Sequence, residues 1–194
     1  MLVQPQSREK DAHLRNAVFY EGGSWSNPLS VENIYDHIDS SGALELDRRT
    51  SYGHEAITMS EGMTAETVGV GSKYLAAYRD SDGNYLNSAF DYVLVVPPNP
   101  PAEQFWSITG YNAKTRAMVY TDRKDVSSRQ DLYVNPDGSV PVYLTSNPQS
   151  MPHPQNCIDI KGQGDIFVYF RTYAPTKEYF SKSWKLPDIQ RIKK

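Results

Sequence analysis

The chain has 194 residues, 39% hydrophobic and 22% charged, with a formal net charge of −3, a length that buries one substantial core with at most a small appendage. Its lysines and arginines are dispersed, so no phosphate-neutralising surface is expected and nucleic acid is excluded as a partner. The longest apolar run, Tyr92-Val93-Leu94-Val95-Val96, is far short of the roughly 20 residues a membrane helix needs, so no membrane insertion is expected.

Cys157 is the only cysteine, which excludes an internal disulfide and any multi-cysteine zinc or iron–sulfur site. Fourteen tyrosines, three tryptophans and six phenylalanines favour half-buried pleated surfaces, because rings pack well on a sheet. Residues Met1 to Lys10 lack the apolar stretch of a secretory signal. The expectation is a chain that stays in the cytoplasm if it is complete, or part of a longer exported protein. The basic end, Gln190 to Lys194, reads as a solvated tail.

In chain order the first periodic segment is helical. Val31, Ile34, Tyr35 and Ile38 stand at i, i+3, i+4 and i+7 behind Pro28 and a cap at Ser30. A second helix is predicted from about Arg48 to Met63, with Tyr52, Ala56, Met59 and Met63 on one face. Such a pair cannot form its own core, and needs either the following domain or a partner to cover it.

After Gly69 the period becomes that of strands. Lys73 to Arg79 is the first, Asp80-Ser81-Asp82-Gly83-Asn84 a tight turn, and Phe90 to Val96 the returning strand, whose apolar run predicts burial on both faces. The four prolines of Pro97 to Pro101 make a stiff crossing suited to a change of sheet. Glu103 to Tyr111 follows, with Trp106 and Ile108 on one face and Phe105, Ser107, Thr109 and Tyr111 on the other. Asn112 to Thr115 turns it into a strand over Arg116 to Thr121. A further hairpin joins Asp131–Val134 to Ser139–Thr145 through Asn135-Pro136-Asp137-Gly138. A long loop from Ser146 to Asp165 leads to a last strand, Ile166 to Tyr173. The predicted fold is therefore mainly β: an antiparallel β-sandwich of jelly-roll type over residues 69–194, preceded by a short two-helix segment over residues 1–68.

Several short motifs occur in a fixed order: Gly69-Val70-Gly71-Ser72-Lys73-Tyr74, Asp80 to Leu86, Phe105-Trp106-Ser107, Thr115-Arg116, Asn135 to Ser139, Phe170-Arg171-Thr172-Tyr173 and Trp184-Lys185-Leu186-Pro187. Together they resemble the family of unknown function numbered 1214, over roughly Gly69 to Ile189. The resemblance implies a C-terminal domain that follows a companion domain numbered 1254 in larger, often exported proteins. The segment from Asn16 to Met63, with Trp25-Ser26-Asn27-Pro28 and Leu46-Asp47-Arg48-Arg49, is similar to the helical connection between those halves. Where family members often read Asn-Trp, this chain has Asn156-Cys157. The family brings a fold and no reaction.

Catalytic motifs are thin. His54-Glu55 lacks the second histidine of a zinc-protease helix, since position 58 is Thr. His153 and Cys157 give two ligands at most, or a thiolate beside an imidazole. Gly69 to Lys73 lacks phosphate-loop spacing and reads as a bend into a strand. Asp131, Asp137 and Asp165 sit at turns, where aspartate serves local backbone hydrogen bonds. No metal or cofactor is expected. The set that stands out is Trp106, Tyr111, Arg116, Arg171 and Tyr173, rings and guanidinium groups on or beside strands. Such groups bind sugars, aromatic acids or carboxylates by stacking and bidentate hydrogen bonds, and equally hold sheets together. The functional expectation is a non-catalytic binding or assembly module, with a homo-oligomer, a companion domain or a small molecule as partner. An enzyme acting on a small carboxylate or sugar, and a component of a larger particle, are the alternatives.

Overall fold

Alternation and turn chemistry decide most strands of this chain. The structure, a computed structural model, describes residues 18–27, 41–44, 46 and 66–193. Among these residues the strands are β1 (Trp25–Ser26), β2 (Ser72–Ala77), β3 (Tyr92–Val96), β4 (Ala102–Asn112), β5 (Asp125–Ser127), β6 (Val140–Thr145), β7 (Cys157–Asp159), β8 (Ile166–Pro175) and β9 (Gln190–Arg191), with a short helix α1 (Lys177–Phe180) after β8. They form a five-stranded sheet in the order β1-β2-β8-β4-β5 and a four-stranded sheet in the order β7-β6-β3-β9. The first sheet is antiparallel throughout. The second is mixed, because β7 runs parallel to β6, so the wholly antiparallel expectation holds for one sheet only.

Both sheets contribute to one core. Leu75 and Ala77 from β2, Trp106 and Ile108 from β4, and Ile166, Val168 and Phe170 from β8 cluster with Tyr92, Leu94 and Val96 from β3, Val142 and Leu144 from β6, and Ile158 from β7. Fully burying each such side chain contributes roughly 1.5–3 kcal/mol. Gly110 lets the sheets approach closely, since a Cβ there would lie 3.1 Å from Ile158 Cγ2.

β3 alternates instead of being buried on both faces: Tyr92, Leu94 and Val96 point inward, while Val95 is 39% exposed. The Asp80 turn forms as expected, with Asp80 Oδ1 accepting from Asp82 N at 3.0 Å and Asn84 N at 2.8 Å. The return is only a bridge between Arg79 and Tyr85, however, and the chain then leaves for the other sheet. Asn87 fixes that departure, donating its backbone N–H to the Tyr92 hydroxyl and its amide to Asp165. The proline crossing carries the chain from β3 in one sheet to β4 in the other, as the sequence predicts.

Two predicted strands do not form. Arg116 to Thr121 makes a single bridge, Tyr111 to Met118, because Arg116 takes a left-handed φ of +63° that breaks the ladder; the partner of β4 is β5 instead. Asp131 to Val134 pairs with no strand, because a side chain takes the place of one. Asn156, fully buried, accepts from Tyr133 N at 2.9 Å and donates to Tyr133 O at 2.9 Å and Pro141 O at 2.7 Å. The long loop in turn contains β7 and two 3-10 turns, Pro148–Ser150 and Pro154–Asn156.

The five-stranded sheet also takes in β1, from ahead of Gly69. Trp25 is fully buried and donates its indole N–H to Pro187 O at 2.9 Å. Ser24 donates its backbone N–H and its hydroxyl to Asp188 Oδ1, at 2.9 and 2.7 Å. The two helices expected around Val31–Ile38 and Arg48–Met63 lie outside the described residues.

Replacing Asn156 tests the clamp. Asn156→Ala strands three backbone groups and should cost about 3 kcal/mol or more, each unpaired buried group being worth roughly 1–3 kcal/mol. Asn156→Asp keeps the acceptor but sets a buried carboxylate oxygen against the Tyr133 and Pro141 carbonyls, and should be at least as destabilising in urea unfolding.

Candidate functional site

The strands that put Trp106 and Ile108 into the core turn their alternate residues outward. Register lines these up in rows across the outer face of the five-stranded sheet. One row reads Ser127, Ser107, Arg171, Tyr74; the next reads Asp125, Thr109, Tyr169, Ala76. Phe105 opposes Tyr173 on one side of these rows, and Tyr111 opposes Phe167 on the other.

Of the five residues singled out in the sequence, four therefore meet on this face and one does not. Tyr111, Arg116, Arg171 and Tyr173 lie on it or reach over it. Trp106 is buried on the opposite face, stacked on Phe170 at 6.0 Å, and serves the core. Phe105 and Ser107 share the face with Tyr111, as alternation along the strand predicts, and Tyr74 and Arg129 join it unannounced. Arg129 lies in a polar connection that carries no periodic signal.

The face is built from guanidinium groups laid over rings. Arg171 sits 4.5 Å from the Tyr74 ring centre and donates to the Tyr173 hydroxyl at 2.7 Å. Tyr173 stacks on Phe105 at 3.8 Å, and Arg129 lies 3.7 Å from the Phe105 ring centre. Toward the other end Arg116 covers Phe167 at 4.1 Å and hydrogen-bonds the Tyr78 hydroxyl. Tyr78 and Phe167 stack at 4.7 Å, making with Ala76 a second small core. Arg79 lies over Tyr85 at 3.8 Å. Contacts of this kind are worth about 0.5–2 kcal/mol each, more where water is excluded.

Electrostatics fix the charge state of the face. Burial raises the Tyr111 hydroxyl above the usual phenol range, against the opposing pull of Arg171. Burial alone would lower Arg171, but the Tyr173 hydrogen bond and the Tyr74, Tyr173 and Tyr111 phenols carry it upward. Near neutral pH the guanidinium is thus charged and the Tyr111 phenol is neutral.

The other sequence candidates resolve into structure. Gly69 and Gly71 take positive φ in a bend leading into β2, with Gly69 N donating to Pro175 O. Asp137 caps its turn, accepting from Ser139 Oγ at 2.7 Å and Ser139 N at 2.9 Å, bonds that hold its carboxyl low. Asp165 accepts from the Asn87 amide at 2.8 Å, while Asp131 is exposed. His54 and Glu55 lie outside the described residues. Among those described, no group of three or more His, Cys, Asp or Glu is placed to hold a metal ion, and no helix is long and apolar enough to cross a membrane. A cleft of about 460 Å³ is lined by residues 117–122 and Lys124, with Tyr120 97% exposed beside it.

His153 and Cys157 do not form an activated pair. The imidazole stacks on Tyr133 at 3.5 Å, and the buried thiol donates to the backbone oxygens of His153 and Pro148. Burial pushes the Cys157 thiol up to about 11. Its thiol should resist a disulfide reagent at pH 8 in the folded protein and react only after denaturation. Because the folded thiol holds its proton more tightly than the unfolded one, its contribution to stability is complete below the ordinary thiol value of 9.0 and is lost as pH rises toward about 11. Cys157→Ser should flatten that decline in a pH series of urea unfolding.

No curated protein matches the chain. Among solved structures it is similar to the VPA0106 protein of Vibrio parahaemolyticus, with a TM-score of 0.60 and 16% identity, over 100% of this chain and 47% of that one. A weaker likeness, with a TM-score of 0.40 and 13% identity, is to an uncharacterised protein of Burkholderia cenocepacia, over 76% of this chain and 43% of that one. The chain thus spans about half the length of the Vibrio protein, whose likeness at this identity speaks to fold alone. A family model described as "Protein of unknown function (DUF1214)" matches residues 71–177, more than half of the sequence, and with the two-sheet fold and the ordered motifs it shows that the chain belongs to that family.

Proposed function

We propose that this chain is a non-catalytic binding or assembly module, a sandwich of jelly-roll type, whose contact surface is the outer face of the five-stranded sheet. The observation that carries this reading is the set of arginine–aromatic pairs on that face, Arg171 with Tyr74, Arg129 with Phe105 and Arg116 with Phe167. Rings and guanidinium groups are enriched where proteins meet partners, and they bind without exchanging protons. General acid–base catalysis needs a group that titrates near the working pH. Arg171 and Tyr111 are both moved away from neutrality, which favours binding over turnover. The module reading extends to one half of a larger architecture, beside the companion domain that the family resemblance implies.

Thermal unfolding in the presence of a panel of small carboxylates and sugars, with each compound assayed by mass spectrometry afterwards, separates the readings. A ligand that raises the midpoint and is recovered unchanged supports the module. Consumption of a compound, abolished in Arg171→Gln, would install an enzyme acting on a small carboxylate or sugar in its place. Light scattering serves the remaining alternative: growth into large, regular assemblies would make the chain a component of a larger particle.

A further inference from the structure

At the border of the five-stranded sheet, one loop carries both halves of a contact. Residues 119–124 bulge outward between two bonds to the same residue of β4: Val119 N donates to Gly110 O at 3.0 Å, and Gly110 N donates to Lys124 O at 2.9 Å. The second sheet holds the loop as well, through β7. Thr121 Oγ1 donates to Asp159 O at 2.8 Å, and Asp159 N donates to Arg123 O at 2.8 Å. Val119 is buried in the core, so alternation turns its neighbours Met118 and Tyr120 outward. Pinned to both sheets, the loop presents these side chains in a fixed place.

What it presents is uncovered. Tyr120 is 97% exposed and Met118 49% exposed, although tyrosine ordinarily buries much of its ring. The cleft of about 460 Å³ lies against them, walled by residues 117–122 and Lys124, a size that takes an aromatic side chain with room to spare. Asp122 and Lys124 stand at this cleft, both exposed and opposite in charge. Among the described residues neither side chain has a hydrogen-bond or ion-pair partner. Arg123, between them, is turned away to Pro154 O.

A protruding ring beside a hole, and an anion two residues from a cation, make a patch complementary to itself. Under a two-fold axis every contact occurs twice, residue i of one copy meeting j of the other and j meeting i. We infer that the loop over residues 117–124 is a homodimer contact, in which Tyr120 of each copy enters the cleft of the other and Asp122 of each pairs with Lys124 of the other. A second copy is the occupant because the patch supplies both halves of both contacts. A surface of one sign would call for a partner of the opposite charge, whereas here the carboxylate and the ammonium balance and two identical patches can approach. Affinity comes from the Tyr120 ring and Met118 leaving water together. The two-fold arrangement uses the patch up, so it closes at two copies. This contact goes beyond the module reading, since it needs neither Arg171 nor Arg129 nor Phe105.

Sedimentation velocity on the full chain, from micromolar to millimolar concentration, should show a monomer passing to a dimer and no further. Tyr120→Ala removes two rings from each dimer and should weaken it about a hundredfold or more, with the thermal midpoint of the monomer unchanged because the side chain is exposed. Asp122→Lys and Lys124→Asp each set like charges against one another across the axis, and each should suppress self-association. Mixed in equal amounts, those two variants should dimerise again, because the cations of one then meet the carboxylates of the other. A chain that stays monomeric at every concentration would give the patch to some other partner and overturn the inference. So would a dimer indifferent to Tyr120→Ala, growth beyond two copies, or a mixture no more associated than its components. The module reading does not depend on these outcomes and falls instead if a bound compound is consumed.

Discussion

The pairing of β4 with β8 is the constraint on which the rest of this molecule depends. It runs from Ala102 opposite Pro175 to Asn112 opposite Ile166, with an irregularity between Ala102 and Phe105. Because side chains alternate at every residue, this one register settles both surfaces of the sheet at once. It stacks Trp106 on Phe170 inside the core and places Ser107 opposite Arg171 outside it. A slip of β8 by one residue would turn that strand over, burying the Arg171 guanidinium and exposing the Phe170 ring. The core is thus what specifies the outer face, through the cost of that exchange.

That outer face is unusual for a solvent-facing sheet, which ordinarily carries polar residues. Here Phe167 and Tyr78 are buried on it, beneath Arg116 and beside Tyr85 and Tyr111. Arginine suits the role because its hydrocarbon stem covers a ring while its head keeps a charge available. The sheet therefore has an apolar layer on both sides, the larger shared with the second sheet and the smaller capped by arginine side chains. Function and packing are joined at Arg171, which lies over a ring and is charged in the same position.

Much of this was legible in the sequence where the signal is local. The proline crossing, the Asp80 and Asn135 turns and the two faces of β4 follow from dihedral limits and from a period of two. Partnership was not legible, because nothing within Arg116–Thr121 reveals that a left-handed residue will spoil it and leave Asp125–Ser127 to pair with β4. The clamp made by Asn156 was equally hidden, since one side chain does there what a neighbouring strand would do, and propensity has no term for it. For the same reason Trp106 was grouped with Arg171: they belong to adjoining strands and to opposite faces, and only register separates them.

The tie between Trp25 and Pro187, with that of Ser24 to Asp188, has a consequence for how the chain is made. β1 is an edge of the first sheet and β9 an edge of the second, and residues 187–191 supply both the groups that tie down Trp25 and Ser24 and one of the strands that border β3. During synthesis, which proceeds at roughly 5–20 residues per second, β2 leaves the ribosome before its neighbour β8 is made, and β3 before both of its neighbours, β6 and β9. An exposed Val93 edge and an unlatched Trp25 are then the surfaces that a chaperone would meet. The fold closes from a strap made after both sheets back onto a strand made before them.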